Sequence, residues 1–557
     1  MIHSICDHLL THPPPRDYCS TVVDVRYIRE KLDVLSLQTP WWSFASHPDT
    51  HELDLALLRV VGDYAGDEKT RPVVGEIPPQ ALLLVLETLI TRSMGSSVGT
   101  TQALAARILA NLVLHSETAQ AFLPHLLGSP LFVQLVRWSR APSALDPPRK
   151  LQSFRALSNL HRPARLDRHP ERFVSAYHDA VYVFHPTTAT DTLAVEDEPD
   201  ASSSSGIDIV FVHGLRGDPI STWRTYSPPG APPSTIIWPL EWLPADLEGI
   251  VGEVLHGGAH HEEGVGHVFS QSELKVLEAR RAPARQVAEW VRFGVGMSRF
   301  VDASSSKLPV IVDGGEGEEG GAERAEAAAP GASRKVIRAS DARIVSVGYD
   351  SVWSEWDGTS LTLDERAGTL LDKLVAAGIG RDGRRVVFVV HSMGGILVKQ
   401  ALVFAETMAP MLLARTIGVC FYATPHFGSW LPEIASYARS VYRPSKDLGL
   451  LRMGSSRLRC LNELFARFEH IEVLSVGEER AIPLPPEVPS SPLRIVVVPQ
   501  ESAFPGYGRF VSVKADHLSV CKPIDADDVI YGVLLDFLWD VVRGGGAGGG
   551  GWSGGGE

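Results

Sequence analysis

The most regular hydrophobic pattern in the chain spans residues 386–400. Residues 386–390 are five consecutive apolar residues, four of them β-branched, which is typical of a strand buried on both faces. After His391, Ser392, Met393 and two glycines, apolar residues recur at helical spacing, and these are Ile396, Leu397, Val398, Ala401, Leu402 and Phe404. The pattern predicts a strand, a tight turn and a helix, with Ser392 at the corner.

Residues 1–165 show helical periodicity without the alternation that marks exposed strands. Apolar residues recur three and four positions apart, as in Leu82, Leu86, Leu89, Leu104, Ile108, Leu112, Leu131 and Leu135. Segments 107–112 and 155–160 share the pattern Arg-x-Leu-x-Asn-Leu and lie 48 residues apart, close to the period of armadillo and HEAT repeats. The sequence predicts an all-α region, either an armadillo-like or HEAT-like solenoid or an irregular bundle.

From residue 207 onward, strand-like runs alternate with helical segments. Strands are predicted at 207–212, 342–349, 386–390, 417–422, 472–476 and 493–498, and helices at 361–377 and 525–542. Alternation of this kind predicts a doubly wound, mostly parallel sheet with helices on both faces.

Low-complexity stretches set the expected boundaries. Residues 185–206 read as a linker, residues 245–340 as an insert within the second domain, and residues 544–557 as a glycine-rich tail. The linker has few apolar residues to bury, and the insert contains a glycine- and alanine-rich run of low complexity. The predicted α/β domain therefore spans residues 207–543.

Composition and charge limit the class of protein and the partners it could bind. The 557 residues are 44% hydrophobic and 21% charged, as in globular proteins, and the net charge of −14, without a basic run, argues against nucleic acid as a partner. Five scattered cysteines suggest a reducing compartment or core thiols. No 18-residue apolar window is present. Residues 1–10 lack signal-peptide features and begin as if within a helix, which is expected of a chain whose natural start lies upstream.

Ser392 is the candidate nucleophile. The sequence 390–394, Val-His-Ser-Met-Gly, matches the G-x-S-x-G nucleophile elbow except at its first position, where Val390 stands. The elbow lifts a serine hydroxyl out of the sheet. The alternative reading is a serine that caps the N-terminus of a core helix.

Chain order identifies the partners that such a serine needs. In α/β-hydrolases the carboxylate follows the second strand after the elbow, and the histidine follows the last strand. These positions select Glu478, with its neighbour Glu479 as a variant, and His517. Glu501 is the rival acid, at the end of the next predicted strand.

Other titratable residues fit these roles less well. Asp350 precedes the nucleophile in the chain, and His426 follows the strand after the elbow, where a pocket-lining residue is expected. His391, beside the nucleophile, is interpreted as a packing residue.

The oxyanion hole is expected from two backbone N–H groups. One belongs to Met393, and the other to Leu215, in the His213-Gly-Leu turn after the first predicted strand. The chemistry needs no cofactor and no metal. Histidines and glutamates do cluster within the insert, at His256, His260, His261, Glu262, Glu263 and His267, but a glycine-rich loop favours a solvated segment over a metal site.

Five ordered motifs resemble the serine active site-containing protein 1 family, which is related to lipases and to the deacylase of glycosylphosphatidylinositol anchors. They are His213-Gly-Leu, Gly348-Tyr-Asp, His391-Ser-Met-Gly-Gly-Ile-Leu-Val-Lys, Phe421-Tyr-Ala-Thr-Pro-His-Phe-Gly-Ser and Asp516-His-Leu-Ser-Val-Cys-Lys-Pro. The resemblance covers residues 207–542 apart from the insert. It implies an α/β-hydrolase fold after a helical region, a role in phosphatidylglycerol remodelling and sterol trafficking, and a location at mitochondrion–endoplasmic reticulum contacts.

The sequence therefore predicts a serine hydrolase or acyltransferase acting on a lipid ester. Peripheral membrane contact and a protein partner for the helical region are further expectations. Two alternatives stay open. One is a non-catalytic adaptor with a degenerate hydrolase fold, and the other is a protein thioesterase, peptidase or glycosylphosphatidylinositol-type deacylase with the same triad.

Overall fold

The chain is described from a computed structural model. The structure describes residues 48–66, 71–93, 98–141, 146–168, 174–185, 206–215, 217–228, 230–247, 276–277, 342–349, 361–430, 450–483 and 494–544. Most of the predicted linker, insert and tail, the histidine cluster and Asp350 lie outside these ranges.

Seven helices precede the sheet in the described part of the chain. They are α1 (Pro48–Gly66), α2 (Arg71–Gly75), α3 (Pro79–Arg92), α4 (Val98–Leu112), α5 (Ser116–Leu127), α6 (Pro130–Ser139) and α7 (Pro147–Arg168). Their apolar faces form one buried cluster. Local chemistry sets the start of α6. The Ser129 hydroxyl accepts a hydrogen bond from the Leu131 N–H, and Pro130 has no N–H group that would need an acceptor.

An eight-stranded sheet organises the rest. The strands that enter it are β1 (Val181–His185), β2 (Ile207–Val212), β3 (Val276–Leu277), β4 (Ala342–Val347), β5 (Arg385–His391), β6 (Thr416–Tyr422), β7 (Glu472–Glu478) and β10 (Arg509–Val513). Their order is β1-β4-β2-β5-β6-β7-β10-β3. The two outermost strands pair antiparallel with their neighbours, and the six between them run parallel.

Helices cover both faces of this sheet. They are α8 (Trp238–Glu241), α9 (Leu363–Ala376), α10 (Met393–Met408), α11 (Pro410–Arg415), α12 (Ser456–Phe465), α13 (Gln500–Ala503) and α14 (Val529–Gly544). The alternation of side chains along β5 places Val387 and Val389 in the core that contains α14 residues, and Val386, Phe388 and Val390 in the core that contains residues of α9 and α10. A strand with two buried faces explains the uninterrupted apolar run.

The last strand of the sheet is not the one predicted. Residues 493–498 were expected to form it, but only Arg494–Ile495 are extended, as β9, which pairs with β8 (Ile482–Pro483) in a separate two-stranded sheet. Val497 and Val498 are buried in a small satellite cluster instead. The true last parallel strand is β10, with the sequence Arg-Phe-Val-Ser-Val.

The sheet also begins earlier than the expected domain start at residue 207. β1 ends at His185, which was assigned to the linker, and pairs with β4 as an antiparallel edge strand. Two of its five residues, Tyr182 and His185, are only partly buried, as expected for an edge strand.

The helical region is joined to the sheet by a charged network in the turn before β1. The Asp179 carboxylate accepts hydrogen bonds from Arg107 of α4, and the Arg155 guanidinium of α7 lies 3.1 Å away. Asn159 exchanges hydrogen bonds with the backbone of Tyr177. The arginine–asparagine echo in the sequence therefore reflects a shared interface, since both arginines face the same carboxylate. The armadillo-like arrangement stays a prediction.

Among the described residues, no single helix has the length and apolar composition required to cross a membrane. One pair, Glu117–Leu127 with Pro130–Ser139, meets that test jointly by length and composition alone, with a 102° bend between its members.

Replacement of Asp179 by asparagine should weaken the connection between helices and sheet. We expect Asp179→Asn to lower the free energy of unfolding by about 3 kcal/mol, because it leaves the buried Arg155 without its carboxylate and removes one of the two carboxylates that pair with Arg107. The two guanidinium groups hold the pKa of Asp179 below its usual value, so this stability is present above pH ~4 and is lost as the pH falls further. Urea denaturation at pH 7 and pH 3 checks both statements; equal loss at the two pH values would contradict them.

Candidate active site

Ser392 occupies a strained corner between β5 and α10. Its φ is +52° and its ψ −125°, a conformation that costs a non-glycine residue about 1–3 kcal/mol and persists only where the surroundings enforce it. Although Ser392 precedes the first residue of α10, its side chain makes no capping hydrogen bond. The helix-capping alternative therefore does not describe this serine.

Neighbouring loops enforce the corner by approaching it closely. A Cβ on Gly394 would lie 2.3 Å from the His213 carbonyl oxygen, and one on Gly395 would lie 2.2 Å from the Thr424 hydroxyl. On the same side as His213, a Cβ on Gly214 would lie 2.8 Å from the Cβ of Ser392. These glycines are required because the loops after β2 and β6 clamp the first turn of α10.

The structure brings Ser392, His517 and Glu478 together. The Nε2 atom of His517 lies 3.0 Å from the Ser392 Oγ, and its Nδ1 lies 2.6 Å from Oε2 of Glu478. Glu478 is fully buried, whereas the other two residues retain 7–8% exposure. A neutral imidazole can donate its Nδ1 hydrogen to the carboxylate and accept the serine hydrogen at Nε2.

Glu478 is fixed by a second contact. Its other oxygen, Oε1, accepts a hydrogen bond of 3.0 Å from the Val498 N–H. The buried segment 497–498, which was mistaken for a strand, thus supplies a donor to the carboxylate. With both oxygens bound, the carboxylate has a fixed orientation toward His517.

Hydrogen bonds also fix the backbone of His517 and of the loop around it. The His391 Nε2 lies 2.9 Å from the His517 carbonyl oxygen. Burial, with the nearby His517 as a smaller cause, lowers the pKa of His391 well below its ordinary value, so the ring is neutral and donates Nε2–H. The Asp516 carboxylate accepts the N–H groups of Leu518 and Ser519. His391, expected to be a packing residue, also anchors the loop that carries the histidine.

The rival acids lie elsewhere. Glu501 is exposed on α13, and Glu479 is exposed with its carboxylate accepting a hydrogen bond from the Ser512 hydroxyl. His426 is fully buried, and its Nδ1 lies 2.8 Å from the Lys399 Nζ. Sequence reasoning missed this lysine, although Lys399 follows Ser392 by two helical turns.

The proposed oxyanion donors flank the serine. Met393 is the first residue of α10, and Leu215 follows Gly214 in the loop that touches Ser392. His213 shapes this loop: its Nδ1 lies 2.8 Å from the Gly214 carbonyl, its Nε2 accepts the Tyr349 N–H, and its ring stacks on Tyr349. Burial lowers the pKa of His213 to about 4, which is consistent with this neutral form.

In the described ranges, no group of three or more histidine, cysteine, aspartate or glutamate side chains is arranged to hold a metal ion.

The strand order, with six parallel strands between two antiparallel edge strands and an elbow after β5, defines an α/β-hydrolase fold. Within that class, the chain is related in sequence to Protein SERAC1. It is 37% identical to the protein of Danio rerio over 213 residues and 37% identical to that of Homo sapiens over 205 residues. These matches cover 36% and 35% of this chain, and they support the resemblance to the serine active site-containing protein 1 family.

The matched region spans only about 31% of the length of these relatives. No protein-family model matches the chain. Solved structures with some similarity include the lipase BlEst2 of Bacillus licheniformis, at 13% identity with 64% of this chain and 97% of that one covered and a TM-score of 0.30. The metagenomic carboxyl esterase MGS0156 has 16% identity, 69% and 89% coverage and a TM-score of 0.28. At these scores the fold assignment rests on the strand order and the elbow of this chain.

Addition of one methyl group at the elbow should be costly. We expect Gly394→Ala to lower the free energy of unfolding by about 1–3 kcal/mol, because its Cβ would meet backbone oxygen atoms that cannot move away freely. Gly368→Ala, in the middle of α9 with no heavy atom within 4 Å of the added Cβ, is the control and should be neutral or stabilising by about 0.5–1 kcal/mol. Urea denaturation compares the two, and equal effects would contradict the clamp.

Proposed function

We propose that this protein is a serine hydrolase or acyltransferase that acts on a lipid ester through Ser392, His517 and Glu478. The observation that carries the proposal is the continuous hydrogen-bond chain from a strained, uncapped serine through an imidazole to a buried carboxylate. Three such groups from three separate loops are what covalent acyl transfer requires.

In the first half of the reaction, His517 Nε2 takes the hydroxyl proton as Ser392 Oγ attacks the ester carbonyl carbon. The Glu478 carboxylate stabilises the resulting imidazolium and holds its tautomer. Collapse of the tetrahedral intermediate breaks the ester C–O bond, and His517 returns the proton to the leaving alcohol. Water or an acceptor hydroxyl then attacks the acyl-enzyme with the same proton transfers in reverse order.

The oxyanion of the intermediate would be bound by the backbone N–H groups of Leu215 and Met393. Such a donor contributes roughly 3 kcal/mol to transition-state stabilisation in related sites. The close approach of the Gly214 loop to the first turn of α10 places both N–H groups next to Ser392, since Leu215 belongs to that loop and Met393 to that turn.

An apolar acyl chain suits the rim of this site. Leu518, directly after the histidine, is 54% exposed. Ile524, on the same loop, and Trp430, on the loop after β6, are also exposed, and all three follow parallel strands at the edge of the sheet where Ser392 lies. Exposed apolar side chains on loops at this end of the sheet support a lipid substrate and peripheral contact with a membrane.

The family resemblance makes the proposal more specific. We infer phosphatidylglycerol remodelling and intracellular lipid trafficking as its biological form, at the mitochondrion, the endoplasmic reticulum or both, with the helical region available to a protein partner. A non-catalytic adaptor, a protein thioesterase and a glycosylphosphatidylinositol-type deacylase are the competing outcomes of the experiments below.

Replacement of the nucleophile should remove covalent reactivity. We expect the full chain to react with a fluorophosphonate probe and Ser392→Ala to lose all labelling, because the probe requires an activated serine. Ser221→Ala, at an exposed serine, is the control and should label normally. Labelling that survives in Ser392→Ala would remove the nucleophile assignment, and an unlabelled wild-type protein would favour the adaptor.

The acid is tested by a pair of glutamate variants. We expect Glu478→Gln to lower kcat for p-nitrophenyl butyrate by roughly 10³- to 10⁴-fold, since an amide cannot hold the required tautomer or stabilise the imidazolium. Glu501→Gln makes the same chemical change at an exposed site on α13 and should change kcat less than twofold. The reverse result would assign the acid to Glu501.

A further inference from the structure

Lys399 is a fully buried amine beside the proposed catalytic centre. It lies on α10, two turns after Ser392, and is 0% exposed. Its Nζ lies 2.6 Å from Asn462 Oδ1 and 2.8 Å from His426 Nδ1. Within the described ranges no carboxylate forms an ion pair with it. Burial of an amine without a counter-ion costs free energy of desolvation. A role in filling the core therefore does not by itself account for Lys399 at this position.

The surroundings of the amine favour its uncharged form. Burial lowers the pKa of Lys399 well below its ordinary value, although the rings of Phe421 and Phe465, with centroids 5.1 and 5.2 Å from the Nζ, lie at a distance at which an aromatic face attracts an ammonium. His426 Nε2 has no hydrogen-bond partner in the described part of the chain. If Nδ1 carries the ring hydrogen, only an acceptor is left unpaired, and the amine accepts from His426 while it donates to Asn462.

The His426 backbone is held from two further sides. Asn462 of α12 donates its Nδ2–H to the His426 carbonyl, at 2.7 Å. The His426 N–H donates to the Ser502 carbonyl of α13, at 2.8 Å. One residue of the loop after β6 is therefore tied to the nucleophile helix, to α12 and to α13.

The contact with Ser502 leads to the carboxylate of the triad. The Ser502 hydroxyl accepts the Phe427 N–H and donates to the Gly428 carbonyl, and the Ser502 N–H donates to the Pro499 carbonyl. Pro499 follows Val498, whose N–H binds Glu478. An unbroken series of short contacts thus joins Lys399 to the group that orients the acid.

We propose that Lys399, His426 and Asn462, which we call the lysine–histidine cluster, position the triad by holding the loop 424–428 between the nucleophile helix and the turn that binds Glu478. These are positioning residues, since their side chains hydrogen-bond to one another and to the loop backbone, and none of them hydrogen-bonds to Ser392, His517 or Glu478 in the described part of the chain. The inference rests on the proposed function and adds to it a second layer of required residues.

The test uses Lys399→Met, which keeps the length of the side chain and removes its hydrogen bonds. We measure kcat and KM of the full chain with p-nitrophenyl butyrate across pH, per mole of folded protein established by circular dichroism. We expect kcat to fall roughly 10- to 100-fold with KM changed less than twofold, as for a displaced reacting group. We also expect the acid limb of the pH–rate profile to move to lower pH, because an imidazolium with a poorly placed carboxylate forms less readily.

A pair of His426 variants provides rescue and guards against misfolding of Lys399→Met. His426→Asn retains a polar atom near the Nδ1 position and should keep most of the activity, whereas His426→Leu should behave like Lys399→Met. Asp179→Asn is the control for destabilisation alone: it breaks a charged network far along the chain from the site and should leave kcat and the acid limb unchanged.

The outcomes separate this inference from the proposed function. If the wild-type protein does not react with a fluorophosphonate, the proposed function fails and this inference falls with it. If the wild-type protein reacts, and folded Lys399→Met and His426→Leu keep its kcat and its acid limb, the cluster only fills the core and the positioning role is wrong.

Discussion

The backbone of Ser392 can hold a positive φ only because two loops press on the first turn of α10 from opposite sides. The loop after β2 reaches Gly394 and the Cβ of Ser392, and the loop after β6 reaches Gly395. These contacts on both sides fix the backbone conformation of the turn, and the packing energy offsets its strain. It also directs the hydroxyl away from the helix N-terminus, where a serine would ordinarily cap, and toward His517.

Parallel strands bring the other functional groups to the same place. β5, β6, β7 and β10 all run in one direction, so residues at their carboxyl ends share one edge of the sheet. Glu478 ends β7, and His517 lies four residues after β10. Further hydrogen bonds fix each group at that edge, from Val498 to the carboxylate and from His391 to the backbone of the histidine.

Buried polar groups hold the more distant parts in register. Asp208 on β2 binds Arg343 on β4 and Arg384 at the start of β5, Asp179 binds the helical region, and Lys399 ties α10 to its neighbours. Each network favours one arrangement of its elements, because loss of a partner would leave a buried charge or amine unpaired at a cost in free energy. Apolar packing alone would tolerate small shifts that the hydrogen bonds of 2.6 and 3.0 Å from His517 to Glu478 and Ser392 would not.

Local sequence determined the helical region, the elbow at Ser392 and the alternation of strands and helices, because hydrophobic period and turn chemistry act over a few residues. The chain order was enough to propose His517 and to prefer Glu478, even though residues 493–498 were mistaken for the last strand of the sheet. Only the tertiary structure decided that strand, the contact between Asp179 and the helices, and the cluster around Lys399. An apolar run is buried in a strand or in a satellite cluster alike, and a buried amine has no local signature; both depend on partners distant in sequence, which periodicity does not encode.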